Sequence, residues 1–138
     1  MEEILPSVYL DGAHNLDGIR AFLETVGLQP CNGKRRLLFS VVSDKQYSAL
    51  TYEIASSGLF DEIGVVALRC ARALPLDVLE DSFRQYTGLI CKAYSDLCMA
   101  FEELALKKND EDITYIAGSL YLVGEIKALL RRPRHDKF

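Results

Sequence analysis

No apolar run in the chain approaches the roughly 20 residues that a membrane-crossing helix needs. The start, Met1-Glu2-Glu3, is acidic and lacks a basic segment followed by a long apolar stretch. That argues against a secretory signal and points to a cytosolic, cytoplasmic address. Cysteine is sparse and scattered: Cys31, Cys70, Cys91 and Cys98 form no C-x-x-C pair and no zinc-ligand spacing with the two histidines. Reduced, mostly buried thiols and no metal site are the expectation. Positive charge is also short, with 16 Lys and Arg against 20 Asp and Glu, so no broad basic field is available for nucleic acid. The one basic cluster, Arg131-Arg132-Pro133-Arg134-His135, reads as cations closing the last helix and a solvated tail.

A phosphate-binding loop is missing too. Gly27-Leu28-Gln29-Pro30-Cys31-Asn32-Gly33-Lys34-Arg35 comes nearest, but it has one residue too many between the glycines. Arg also stands where Ser or Thr binds magnesium, and a strand follows where a helix is required. No G-x-G-x-x-G, H-E-x-x-H or G-x-S-x-G occurs. The chain therefore lacks the usual means of cradling ATP phosphates by itself.

What is present is a globular composition, 49% apolar and 26% charged, in 138 residues. A single domain of this size buries roughly two-thirds of its unfolded surface. Short β-rich runs near 7–10, 36–42, 62–68, 89–92 and 112–117 alternate with helix-period runs near 15–26, 44–57, 75–87, 95–107 and 119–131. Five β-α units of this kind predict a three-layer α/β/α, Rossmann-like domain with a mainly parallel sheet of about five or six strands. Asn15 is the expected N-cap of the first helix and Gly27 its stop, Asp44 begins the second, Pro75 suits the first turn of the third, and Gly118-Ser119 opens the fifth. Leu37-Leu38-Phe39-Ser40-Val41-Val42 reads as a central strand covered on both faces.

Parallel strands place their C-terminal loops on one edge, where ligands collect in open α/β sheets. Asp11, His14 and Asn15 follow the first strand, Ser43, Asp44 and Lys45 the second, Arg69 and Arg72 the third, and Gly118 and Ser119 the fifth. Such a set suits an anionic, hydroxyl-bearing ligand: Asp11 for a ribose, His14 for a nucleotide, Lys45 or Arg72 for phosphate or carboxylate. Gly118-Ser119 would leave backbone N–H groups at a positive helix end, a carboxylate or phosphate cradle. Each residue has a plainer account as well. Asp11, Asn15, Asp44 and Ser119 serve equally as turn or helix caps, and His14, Lys45 and Arg72 as solvated side chains.

Three stretches go further: Asp11-Gly12-Ala13-His14-Asn15 after a hydrophobic strand, Ser43-Asp44-Lys45 after the next, and Gly118-Ser119-Leu120-Tyr121-Leu122-Val123-Gly124-Glu125 near the end. In that order and separation they resemble the C-terminal domain of folylpolyglutamate synthase/dihydrofolate synthase, a branch of the Mur ligase superfamily. Arg72-Ala73-Leu74 is similar to that family's Arg-Ala step, whereas Leu16 and Gln46 depart from its usual Pro and Asp. The resemblance implies an ATP-dependent ligase that converts a carboxylate of folate or dihydropteroate to an acyl phosphate, which the amine of L-glutamate attacks. It implies that residues 1–138 are one domain, with Met1 at a cut point and no complete catalytic set. The phosphate loop, the magnesium ligands and most of the pterin site are then expected on an N-terminal ATPase domain. By the same resemblance Asp11 and His14 contact ATP, while Ser119, Lys45 and Arg72 face glutamate. The opposing expectation is a non-catalytic Rossmann-like or flavodoxin-like binding module, such as a receiver domain. The receiver version is poorly served by the single Asp11 after the first strand and Leu68-Arg69-Cys70 after the third.

Overall fold

A computed structural model describes residues 1–44, 46–86 and 88–131. The elements run β1 (Glu2–Leu5), β2 (Val8–Leu10), α1 (Leu16–Leu28), β3 (Arg35–Phe39), α2 (Tyr47–Ser56), β4 (Glu62–Val66), α3 (Leu76–Arg84), β5 (Ile90–Tyr94), α4 (Leu97–Phe101, continued by a π-helical turn over Glu102–Leu106), β6 (Ile113–Ala117) and α5 (Leu120–Leu130). The strands form one sheet in the order β1-β2-β6-β3-β4-β5. All neighbours are parallel except β1, which pairs antiparallel with β2.

Alternation along the strands splits the interior into two layers. Leu37 and Phe39 of β3, Ile63 and Val65 of β4, and Tyr115 of β6 face α1, α2 and α3. Leu38 of β3, Ile116 of β6, and Val8 and Leu10 of β2 face α4 and α5. Central strands buried on both sides read as continuous apolar runs for this reason. Burial of each large side chain, such as Phe39, Phe83 or Phe101, contributes about 1.5–3 kcal/mol.

The expected five β-α units are all present, and the differences have local causes. β1 lies outside the expected strands; the chain reverses at Pro6-Ser7, where Ser7 takes a left-handed φ of 57°, and Leu5 then pairs with Val8. Gly27 does not stop α1. The helix runs on to Leu28 and ends because Pro30 holds Gln29 extended, at φ −86° and ψ 123°. Asp44 does not cap α2 directly: Gln46 occupies the cap position, and the Asp44 carboxylate accepts the Gln46 N–H at 2.8 Å instead. Pro75 sits one step earlier than expected, at the cap of α3. The fourth helix widens into a π turn, in which Lys107 N–H donates to Glu102 O at 2.9 Å. The Leu104 carbonyl in that turn accepts the buried Thr114 hydroxyl of β6 at 2.5 Å. The four cysteines are half-buried, somewhat more exposed than expected. No described helix is long and apolar enough to cross a membrane.

Connectivity marks one edge. From β2 and β3 the chain passes to α1 and α2 on one face, while from β6, which lies between them, it passes to α5 on the other. Strand loops that diverge to opposite faces open a crevice at the carboxyl ends of the strands.

Candidate functional site

The first loop is built by backbone pairing that outlasts the strands. Asp11 N–H donates to Ile116 O and Gly118 N–H to Ala13 O, both at 2.9 Å, so residues 11–13 lie against the end of β6. Asp11 folds its Oδ1 back to accept the Ala13 N–H at 2.8 Å, while its Oδ2 lies 3.7 Å from the Met1 amino group. The side chain keeps 19% exposure, so a rigidly aimed carboxylate still reaches solvent. His14 is exposed, with Nδ1 2.9 Å from the Gly12 carbonyl. A carbonyl only accepts, so Nδ1 carries the proton and Nε2 faces outward as an acceptor in the neutral ring. Asn15 caps α1, its Oδ1 accepting the Gly18 N–H at 2.8 Å. Around them lies a shallow cleft of about 400 Å³, whose walls include Asp11, His14, Asn15 and, along α1, Gly18, Ala21 and Thr25.

The turn from β6 into α5 is fixed by sterics. Gly118 has φ 119°, and a methyl group there would collide with the Ser40 carbonyl oxygen and the Phe39 ring, so only glycine lets this turn pack over the end of β3. Ser119 then caps α5: its hydroxyl accepts the Tyr121 N–H at 3.0 Å and its carbonyl the Val123 N–H at 3.2 Å. At 3% exposure Ser119 is sealed, and Leu120 and Tyr121 stand out beside it at 61% and 55%. A methyl at Gly12 would come within 3.2 Å of Leu120, which places the two loops side by side. Ser40, beneath the turn, was not among the expected site residues. It is 1% exposed, and its hydroxyl has no hydrogen-bond partner among the described residues. One signal existed, a single hydroxyl inside an otherwise apolar run from Leu37 to Val42.

The next two loops are zipped together. Val42 and Ala73 form an isolated antiparallel bridge, Ser43 N–H donates to Arg72 O at 2.6 Å, and Leu74 N–H donates to Val41 O at 3.3 Å. Strand β3 therefore ends at Phe39 rather than at 42, and its continuation pairs with the β4 loop instead of with β6. This brings Ser43, Asp44 and the exposed Arg72 together; Lys45 lies outside the described residues. Arg69 departs from the group. Its N–H donates to Glu125 Oε1 of α5 at 3.3 Å, and it lines a different cleft on the α4–α5 side.

Perturbed titrations lie away from this edge. Burial pushes the Cys91 thiol up to about 12, with the Glu80 charge assisting, and burial likewise raises the Tyr115 hydroxyl to about 12. Among the described residues no group of three or more His, Cys, Asp or Glu is placed to hold a metal ion.

Sheet order and layering define an α/β/α, Rossmann-like domain with a polar rim at the carboxyl ends of its strands. Comparison with known proteins narrows this class. No protein-family model matches the chain. The dihydrofolate synthase/folylpolyglutamate synthase of Bacillus subtilis (strain 168) is 28% identical over 126 residues, 91% of this chain and 28% of that protein. The E. coli FolC structure with ADP and without folate substrate superposes with a TM-score of 0.82 at 18% identity, over 94% of this chain and 30% of its own. Thermotoga maritima folylpolyglutamate synthase gives 0.76 at 25% identity, over 93% and 29%. A bifunctional folylpolyglutamate synthase/dihydrofolate synthase with Mn, AMPPNP and L-glutamate bound gives 0.80 at 20%, over 95% and 31%. The chain has the fold of the C-terminal domain of folylpolyglutamate synthase/dihydrofolate synthase and is similar to that family in sequence. It spans less than a third of the length of these relatives.

Proposed function

We propose that this chain is the nucleotide- and glutamate-contacting domain of an ATP-dependent ligase that joins L-glutamate to a folate or dihydropteroate, and that it is inactive alone. One observation carries the reading most: Asp11 and His14, fixed by backbone contacts yet open to solvent, stand beside the α5 start in a chain that matches under a third of ligases known with bound nucleotide. A rim that can orient a nucleotide, with no phosphate loop and no metal cluster among the described residues, needs a second wall. An N-terminal ATPase domain would supply that wall.

In this reading the substrate carboxylate attacks the terminal phosphorus of ATP, releasing ADP and leaving an acyl phosphate. The amine of glutamate then attacks the acyl carbon, inorganic phosphate leaves, and an amide forms. This chain breaks no bond. Asp11 accepts hydrogen bonds from the ribose hydroxyls through Oδ2, the oxygen that its own turn does not use and that lies 3.7 Å from the Met1 amino group, and His14 offers its outward ring nitrogen to the nucleotide. The first turn of α5, set by Gly118 and capped by Ser119, turns its positive end toward a glutamate carboxylate. Arg72, and Lys45 beyond the described residues, supply cations for the same carboxylates. Ser119 acts by holding that turn, because its hydroxyl is already committed to Tyr121 N–H.

The test mixes the chain with a separately produced ATPase domain of a folylpolyglutamate synthase and follows glutamate-dependent ADP release. Turnover should require both parts, and Asp11→Ala should lower kcat/KM about tenfold or more, since a charge-assisted hydrogen bond is worth about 1.5–3 kcal/mol. Equal rates for Asp11→Ala and the unaltered chain would remove Asp11 from the role. Failure of every ATPase domain to gain activity would favour the non-catalytic module.

A further inference from the structure

We infer that the cleft between the β4–α3 loop and helices α4 and α5 is a binding site for a small zwitterionic α-amino acid with an aliphatic side chain. It encloses about 260 Å³ and shares no lining residue with the cleft at Asp11 and His14. That volume falls below the roughly 300 Å³ at which pockets for drug-sized ligands begin, which favours a metabolite of amino-acid size. The lining combines one cation, Arg69, and two carboxylates, Asp96 and Glu125, with an apolar wall of Leu97, Ala128 and Leu129.

The two carboxylates are held in place but left unneutralised. Glu125 Oε1 accepts the backbone N–H of Arg69 at 3.3 Å, and Asp96 Oδ1 accepts that of Cys98 at 3.1 Å. The exposed Arg69 guanidinium forms an ion pair with neither carboxylate, although all three line one cleft and ion pairs occur widely elsewhere among the described residues. Amide hydrogen bonds thus pin the carboxylates where the guanidinium does not neutralise them.

A ligand of one charge serves this arrangement badly. A simple amine meets Asp96 and Glu125 but is opposed by Arg69, and a simple carboxylate meets Arg69 but is opposed by both acids. An α-amino acid carries both signs on adjacent atoms. Its carboxylate matches the fork of Arg69, its ammonium the two acids, and an aliphatic side chain covers Leu97 and Leu129.

The experiment is a 1H–15N NMR titration of the chain with L-leucine, with 4-methylpentanoate, which lacks the amine, and with 3-methylbutylamine, which lacks the carboxylate. L-leucine should give saturable shifts at the amides of Arg69, Leu97 and Ala128 with a Kd of a few mM, and the two half-ligands should bind about tenfold more weakly or less. Arg69→Ala and Glu125→Gln should each weaken L-leucine about tenfold; Arg69 is exposed and Glu125 half-buried, and Gln retains an acceptor for the Arg69 N–H. No saturable shift up to about 50 mM would overturn the site. So would binding of either half-ligand equal to L-leucine, or affinity unchanged in both variants.

Discussion

The two ends of the central strands carry the same kinds of side chain and spend them in opposite ways. At the amino ends of β3, β4 and β6 the charges are consumed internally. Asp112 takes the Lys34 N–H at 2.8 Å on one oxygen, and Arg36 at 2.6 Å and the Asn109 N–H at 3.3 Å on the other. Arg36 also reaches Glu62 at 3.3 Å, and Gly33 packs so tightly on Asp112 that a methyl there would collide with its carboxylate. At the carboxyl ends the backbone does the fastening, through Ala13–Gly118, Val42–Ala73 and Ser43–Arg72, while His14, Asp44 and Arg72 remain at the surface. A fold that secures its loops with main-chain hydrogen bonds keeps side-chain chemistry free for a ligand, whereas one that secures them with buried charges has none left over.

The largest effect should come from the closed end. Asp112→Ala leaves the mostly buried Arg36 with Glu62 alone and two amides without their acceptor, and should cost about 3–5 kcal/mol in urea unfolding. Burial alone would raise the Asp112 carboxyl, yet the Lys34 N–H, Arg36 and the Asn109 N–H outweigh it and hold it below its ordinary value of 3.8. A depressed carboxylate stabilises the fold above its unfolded pKa and loses that contribution as pH falls through the lower folded value. Stability should therefore fall below about pH 4, and Asp112→Asn should flatten that acid limb. An unchanged limb would mean that the closed end is not held by charge.

Next comes the joint between the ends. Gly118→Ala combines a left-handed φ with a collision against Ser40 and Phe39, and should cost about 2–3 kcal/mol, with loss of any ligand bound at the α5 start. Gly58, also left-handed at φ 67° but with nothing within 4 Å of an added methyl, is the control; alanine there should cost only about 1–2 kcal/mol. Equal losses at the two glycines would show that conformation, not the close approach to β3, sets the requirement at Gly118.

Much of this was legible in the sequence because local rules and tertiary packing agree. Asn15 before Leu16, Ile19, Phe22, Leu23 and Val26 announces α1, and the structure makes it the cap and buries Ile19, Phe22, Leu23 and Val26. The uninterrupted apolar run at Leu37-Leu38-Phe39 announces a strand covered on both faces, and all three are fully buried. Some failures were local, as where Pro30 rather than Gly27 ends α1; in others a distant partner had overruled the local signal. The second helix starts late because the β4 loop holds Ser43, and the π turn in the fourth helix meets Thr114, ten residues past Leu104. Arg69 and Arg72, three residues apart, part company only because Glu125 lies on α5. Within the candidate site, strand order put Asp11, His14 and Arg72 at the carboxyl ends of the strands; it could not show that Arg69 turns to α5, that Ser119 spends its hydroxyl on Tyr121 or that Ser40 lies without a hydrogen-bond partner beneath Gly118 among the described residues.

The smallest effects on stability should fall on the open end, and there the comparison sharpens. Asn15→Ala and Ser119→Ala each remove a helix cap and should cost about 1 kcal/mol. His14→Ala removes only an exposed ring bonded to a local carbonyl and should stay within about 0.5 kcal/mol of the unaltered chain. In the reconstituted ligase assay the order should reverse. His14→Ala should raise the KM for ATP several-fold, because the ring's outward nitrogen has no other task, while Asn15→Ala should leave that KM unchanged while lowering the urea midpoint. A side chain that is costly for stability and indifferent to ligand belongs to the scaffold. One that is indifferent for stability and costly to ligand belongs to the site, and His14 is the residue at which these two accounts of the opening loop give opposite results.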